Sequence, residues 1–285
     1  MTIRNPVEWG YDAIRETVHG LGHTAHDWKR PREALSDIPV VQRITAADIR
    51  DALSKGLADF GACRTDVIFI AFVYPLAGLV LAHVALHNEM LPLLFPLISG
   101  FALIGPFAAA GLYEMSRRRE LGLEVSWSDS MAVLNRPSFG AFVGLGLLLT
   151  AIFVVWLAVA MGIYWLIFGA HMPASITDFA RQIFTTSEGW ALMIVGVSVG
   201  FLFALLVLTI SVVSFPLLLD RNVTLRTAIE SSVRAVMMNP GPMLLWGMIV
   251  ACGLVLGTIP LLLGLIVVMP VLGHATWHLY RKVLQ

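Results

Sequence analysis

The residues best suited to chemistry are the histidines, of which the chain has eight. Three pairs stand four apart: His19 with His23 (His26 close by), His83 with His87, and His274 with His278. In a helix that spacing puts two imidazoles on one face, where they could ligate a metal or a haem. No Cys or carboxylate cluster completes any pair, and no HExxH or CxxCH motif is present. The other role open to them is interfacial or helix packing. No metal centre and no cofactor is therefore expected, and His274, His278, His83 and His87 are the positions that would carry one.

Other chemistries find less support. Cys63 and Cys252 cannot form a CxxC site, and one precedes an apolar stretch while the other lies inside one, so a disulfide between them is not expected. No nucleophile–base arrangement, P-loop or dinucleotide fingerprint occurs, which leaves an enzyme reading without a chemical anchor. Nineteen Lys and Arg balance nineteen Asp and Glu. Such a neutral chain has no global electrostatic footprint for nucleic acid.

The elements that must position these residues are apolar helices. Of 285 residues 58% are hydrophobic and 13% charged, whereas a soluble domain usually carries about 25% charged residues. Residues 1–64 hold no apolar run of signal-peptide length and are dense in both charge signs, as a cytoplasmic region would be. Beyond them, residues 65–285 read as a membrane domain. A helix needs roughly 20 apolar residues to cross the hydrocarbon core, and stretches at 67–86, 91–113, 139–168 and 190–219 supply them. The apolar run 242–280 suits two crossings, 242–258 and 260–280, with Pro260 in the first turn of the second; one kinked helix is the other reading.

Charge placement separates the two. Lys and Arg number nine before the first span, none in 87–90, four in 114–138, one in 169–188, three in 220–241, none in the last turn and two (Arg281, Lys282) at the end. With six spans high and low counts alternate without exception, the basic side being cytoplasmic. With five, Arg281 and Lys282 fall on the wrong side. Trp165 and Trp190 then flank an outer loop, and Trp246 and Trp277 sit near inner ends, as interface anchors do.

Each pair of spans is preceded by a similar segment. Thr45, Ser126 and Thr224 are N-cap residues, with Asp48 and Asp129 three positions on, where an acid suits a helix start. Ile49, Leu53, Leu57 and Phe60 fall on one face of the first segment. In the third, Leu225, Ile229, Val233 and Val236 oppose Arg226, Glu230 and Arg234. The pattern predicts amphipathic interfacial helices feeding hairpins of spans, in three repeats, with Pro106, Pro216 and Pro270 inside the second span of each.

No Asp, Glu, Lys or Arg lies in the middle of any span, which counts against ion coupling. Ser198, Thr209 and Ser211 could line a pore, or be satisfied by their own helix backbone. Gly140/Gly144, Gly196/Gly200 and Gly253/Gly257 are GxxxG steps that let helix backbones approach closely, in a partner interface or within the bundle. The cluster Arg117, Arg118 and Arg119 fixes topology and could touch anionic lipid head groups.

Two runs carry a resemblance. Gly100-Phe101-Ala102-Leu103-Ile104-Gly105-Pro106 through Gly111-Leu112-Tyr113-Glu114-Met115-Ser116-Arg117-Arg118-Arg119-Glu120 is similar to the signature of an uncharacterised bacterial family of predicted integral membrane proteins. Met269-Pro270-Val271-Leu272-Gly273-His274-Ala275-Thr276-Trp277-His278-Leu279-Tyr280-Arg281 resembles its C-terminal pattern, so the likeness would cover roughly residues 40–285. Some members are labelled cytochrome c oxidase subunits. That label implies an accessory role at most, since the haem- and copper-ligating histidines of a catalytic subunit are missing.

The expectation is thus an all-α, polytopic membrane bundle of six spans in the bacterial inner membrane, both termini cytoplasmic. Its expected role is non-enzymatic, as accessory or assembly partner of a membrane complex such as a respiratory one, with the lipid bilayer its other partner. A transporter or channel for a small or lipid-like solute, and a haem- or metal-binding membrane protein, are the alternatives.

Overall fold

Long apolar runs with few charges can satisfy their backbone groups in a membrane only by coiling into helices, and the fold consists of them. The computed structural model describes residues 39–62, 79, 83, 91–125, 136–169, 172–260 and 262–285. Residues 1–36 divide from the rest of the chain and lie outside that set. So do most of the span expected at 67–86, the lead-in containing Ser126 and Asp129, and His19, His23, His26 and His87.

In chain order the helices are α1 (Ala46–Ala62), α2 (Leu94–Ala108), α3 (Ala110–Glu120), α4 (Phe139–Phe168), α5 (Ile176–Thr185), α6 (Ser187–Ser211), α7 (Ser214–Asp220), α8 (Leu225–Met238), α9 (Pro240–Thr258) and α10 (Leu265–Val283), with a 3-10 turn at Leu91–Leu93 before α2. Among the described residues three helical stretches are long and apolar enough to cross a membrane: α4, α6 with α7 (Ser187–Asp220), and α9. At 1.5 Å per residue the 30 residues of α4 reach about 45 Å, well beyond a hydrocarbon core of about 30 Å.

Three expected spans take a different form. The stretch 91–113 is a 3-10 turn and two helices broken at Ala109, and α3 runs on through Arg117, Arg118 and Arg119 to Glu120. The stretch 190–219 begins earlier, at Ser187, and is interrupted at Val212 and Val213. Pro216 accounts for that interruption, because it has no N–H to offer the carbonyl of Val212. The last helix starts at Leu265, and Pro260 lies in the preceding turn. Gly257 and Gly264 meet backbone to backbone there: a Cβ on Gly264 would stand 2.8 Å from the Gly257 Cα. The proline at a helix start is Pro240 of α9.

Of the two described lead-in helices, α8 has its threonine cap as the sequence predicts, while at α1 Thr45 gives its protons to Asp48. The Asp48 carboxylate accepts from the Thr45 N–H at 2.9 Å and its hydroxyl at 2.8 Å. Thr224 Oγ1 accepts from the Thr227 N–H at 3.1 Å. Their buried faces, however, are rotated from the expected stripes. On α1 the buried residues are Ile49, Ala52, Gly56, Asp59 and Phe60, while Leu57 is exposed. On α8 they are Ala228, Ser231, Ser232 and Ala235, flanked by the half-buried Leu225, Ile229, Val233 and Val236. Small residues win because helix backbones then come close. The α1–α10 pairing is the most extensive among the described helices, and a Cβ on Gly56 would lie 2.6 Å from the Ala275 nitrogen. Helix α1 is therefore an integral part of the bundle.

The core lies toward one end, where α1, α3, α7 and the second half of α10 bury Met115, Phe215, Leu217, Leu218, Trp277 and Tyr280. Trp165 and Trp190 stand exposed near the end of α4 and the start of α6. Trp246 and Trp277 do not: both are buried in the bundle rather than set at an interface, because facing helices close over them.

Candidate functional site

At that end of the bundle the polar residues of α1, α3, α7 and α10 form a buried cap. Its centre is Asp59, one turn before the end of α1, almost wholly buried. Asp59 Oδ2 accepts from Ser116 Oγ at 2.7 Å and from His278 Nε2 at 2.7 Å. Its Oδ1 faces Arg119 at 3.3 Å, and that guanidinium also donates to the Ala58 carbonyl at 2.8 Å. Burial alone would raise the Asp59 carboxyl. The hydrogen bonds from His278 and Ser116 outweigh burial and hold it below the ordinary carboxylate value.

Proton counting fixes the next link. Ser116 has one hydroxyl proton and gives it to the Asp59 carboxylate, which can only accept. The 2.7 Å contact between Ser116 Oγ and His274 Nδ1 then requires the proton on His274 Nδ1. The neutral ring then leaves His274 Nε2 buried and without a hydrogen-bond partner among the described residues. The chain His274–Ser116–Asp59–His278 so joins two imidazoles one helical turn apart through groups on two other helices.

Two further knots share the cap. Glu114, buried beside the apolar stretch of α3, accepts from Arg136 through both carboxylate oxygens at 2.9 Å and from Arg117 at 3.3 Å. Asp220, at the end of α7, accepts from the Tyr280 hydroxyl at 2.7 Å and lies 3.7 Å from Arg117 and 3.6 Å from Arg281. Glu120 accepts from Trp277 Nε1 and Arg281 Nε, each at 3.0 Å. Ser138, just before α4, donates to the Leu218 carbonyl. A buried charge left alone would cost several kcal/mol, roughly 3–5 when one partner of a pair is lost. Such groups persist because each is matched, and the matching fixes which helix ends meet.

A fourth contact ties residues 40–44 to the cap's rim. Asn239 Oδ1 accepts from the Ile44 N–H at 2.8 Å, and Asn239 Nδ2 donates to the Gln42 carbonyl at 3.0 Å. Val40 and Gln42 pair in antiparallel fashion with Gln285 and Val283. Lys282 reaches Asp51 at 2.9 Å and Asp48 at 3.3 Å.

The predicted site residues distribute as follows. His274 and His278 share the cap, and Asp59 supplies a carboxylate to the pair that spacing alone had not offered. Among the described residues no three His, Cys, Asp or Glu side chains converge as a metal site would. His83 is helical and exposed. Arg117 and Arg119 turn inward to Glu114, Asp220 and Asp59 rather than toward head groups. The glycine steps divide. Added Cβ atoms would meet Leu225 at Gly144, Trp156 at Gly200, Val268 at Gly253 and Leu265 at Gly257, all within this chain. Gly140 is exposed, and Gly196 faces open space. Asp59, Glu114, Ser116, Asp220, Asn239 and Tyr280 escaped the sequence reading; the one available signal was an acid directly abutting an apolar run, as at Glu114 and Asp220.

Both sequence runs that carried the resemblance meet here: Glu114, Ser116, Arg117, Arg119 and Glu120 come from the first, and His274, Trp277, His278, Tyr280 and Arg281 from the second. No curated protein and no solved structure matches the chain. One family profile does, over residues 94–220, which takes in α2 to α7 and the first of the two runs. Its description speaks of an integral membrane protein and of no oxidase. Over those residues the chain is similar to the family described as predicted integral membrane protein (DUF2189).

Proposed function

We propose that the chain is a six-span protein of the bacterial inner membrane with both termini cytoplasmic, acting without catalysis as an accessory or assembly partner of a membrane complex, a respiratory one among the candidates. The Lys and Arg alternation supports the topology. So does the cap, since Glu120 and Asp220 both meet Arg281, and Arg136 joins them through Glu114 and Arg117, as chain ends on one side of a membrane would. The three-repeat reading rests on a threonine at the start of both α1 and α8, bonded in each to the residue three positions on.

The observation that carries the partner role is the outward face of α6. Almost none of its apolar stretch is buried within the chain, and Ile194, Val197, Phe201 and Leu202 are exposed on one face. The polar groups, by contrast, are engaged internally. Thr209 donates to the Leu205 carbonyl at 2.7 Å and Ser211 to the Val207 carbonyl at 2.6 Å, which gives a pore lining little support. His274 and His278 are held by Ser116 and Asp59, which gives haem or metal ligation little support.

The test is purification from native membranes in mild detergent, with identification of what accompanies the chain. A defined partner that is lost when Val197→Ala and Phe201→Ala are combined, while the variant elutes as a single sharp species, is the expected result. Recovery only as a lone protein would sink the proposal.

A further inference from the structure

The end of the bundle opposite the cap holds a helix with a different surface. Helix α5 (Ile176–Thr185) buries none of its residues fully. At the helical step of about 100° per residue, Ile176, Phe179, Ala180, Ile183 and Phe184 occupy one continuous arc of about 140°. Thr177, Asp178, Arg181, Gln182 and Thr185 occupy the remainder, with no residue out of place.

Burial divides the same helix along another line. Asp178, Phe179, Gln182 and Ile183 are half-buried, whereas Ile176, Thr177, Ala180, Arg181, Phe184 and Thr185 are exposed. Phe179 makes an edge-on contact with the Tyr164 ring of α4, centroids 6.2 Å apart. One side thus packs on the bundle. The free side is itself split, apolar along Ile176, Ala180 and Phe184, polar along Thr177, Arg181 and Thr185. A helix wholly in water has no use for the first strip, and one wholly in hydrocarbon cannot bury the second.

The corner that joins α5 to α6 holds this orientation. Thr186 ends one helix and begins the next: its hydroxyl donates to the Gln182 carbonyl at 2.7 Å and accepts from the Gly189 N–H at 3.0 Å. A Cβ on Gly189 would overlap the carbonyl oxygens of Gln182 and Ile183, so the glycine lets α6 start hard against α5. At the ends of α4 and α6 that α5 joins, Trp165, Leu166 and Trp190 are exposed.

We infer that α5 lies in the membrane–water interface at the end of the bundle away from the cap. Ile176 (51% exposed) and Phe184 (65% exposed) rest among the upper acyl chains, and Arg181, Thr177 and Thr185 face the head groups and water. The occupant of the strip is lipid. Trp165 and Trp190 at the same level, in the belt where amphipathic rings settle, continue the bilayer surface onto it, and the polar strip stands on the side where such a helix meets water.

Single cysteines at 176, 184, 177 and 185, in the full chain with Cys63 and Cys252 replaced by serine, would be labelled with an environment-sensitive fluorophore in phosphatidylcholine vesicles. The inference expects Ile176→Cys and Phe184→Cys labels to be quenched severalfold more by lipids brominated near the top of the acyl chain than by aqueous iodide. Thr177→Cys and Thr185→Cys should show the reverse. Ala180→Cys replaces either apolar site if that variant does not elute as a single species. Equal iodide access at all positions would place the helix in water and overturn the inference. Shielding of 176 and 184 from both quenchers would overturn it too, in favour of a second copy or another protein on the strip.

Discussion

Replacing Asp59 by alanine should release α1 from the bundle and leave the long helices in place. The carboxylate accepts from Ser116 and His278 and faces Arg119, so the substitution removes the one acceptor common to three groups. Its cost follows from what each is left with. Ser116 keeps His274 at 2.7 Å, and Arg119, part-exposed, keeps the Ala58 carbonyl at 2.8 Å. Only His278 loses its sole described partner, and it retains a little contact with solvent. The loss should therefore fall at or below the low end of the roughly 3–5 kcal/mol range for breaking a buried pair, about 2–3 kcal/mol. That corresponds to an increase of about 30- to 150-fold in the opening of α1. Amide hydrogen exchange in nanodiscs reads this directly: α1 should exchange faster by about that factor, with α4 and α6 unchanged. Asp51→Ala is the control, since the exposed Asp51 pairs with Lys55 and Lys282, and surface pairs contribute about 0–1 kcal/mol. Unaltered α1 protection in Asp59→Ala, or equal loss in every helix, would refute the reasoning.

Because the folded protein holds the Asp59 carboxyl below its ordinary value of 3.8, the associated stabilisation is complete above that value and lost as pH falls through the folded one. Exchange of α1 should stay slow down to about pH 4 and rise below it, and Asp59→Asn should flatten that acid limb. Gly56→Val places a Cβ 2.6 Å from the Ala275 nitrogen; with backbone in the way the cost should reach the top of the roughly 1–3 kcal/mol range for overpacking, seen as a lower thermal midpoint and faster α1 exchange. Asn239→Ala leaves the Ile44 N–H without its acceptor, a loss of about 1–3 kcal/mol that should open residues 40–44 to limited proteolysis.

Legibility in the sequence followed the range of the interaction. Hydropathy is a local property, and it placed 139–168 on α4 residue for residue and 242–258 within two residues of α9. The Thr224 cap is equally local and stands as read. Helix faces were harder, because a stripe of Ile, Leu and Phe on α1 competes with the chance to bring Gly56 against Ala275, and the closer approach prevails. The cap was hidden for a stronger reason. Asp59 lies 57 residues from Ser116 and 219 from His278, so nothing in the spacing of His274 and His278 could reveal their carboxylate partner. Arg117 and Arg119 were legible as a topological signal, while their acids on α1, α3 and α7 were not.

The most direct test of the account is which side of the membrane the cap occupies. Single cysteines at Lys282 and at Thr177, in a background lacking Cys63 and Cys252, would be exposed in intact cells to a membrane-impermeant thiol reagent. The proposed topology predicts labelling of Thr177→Cys from outside, and of Lys282→Cys only after the membrane is opened. Labelling of Lys282→Cys in intact cells would contradict it.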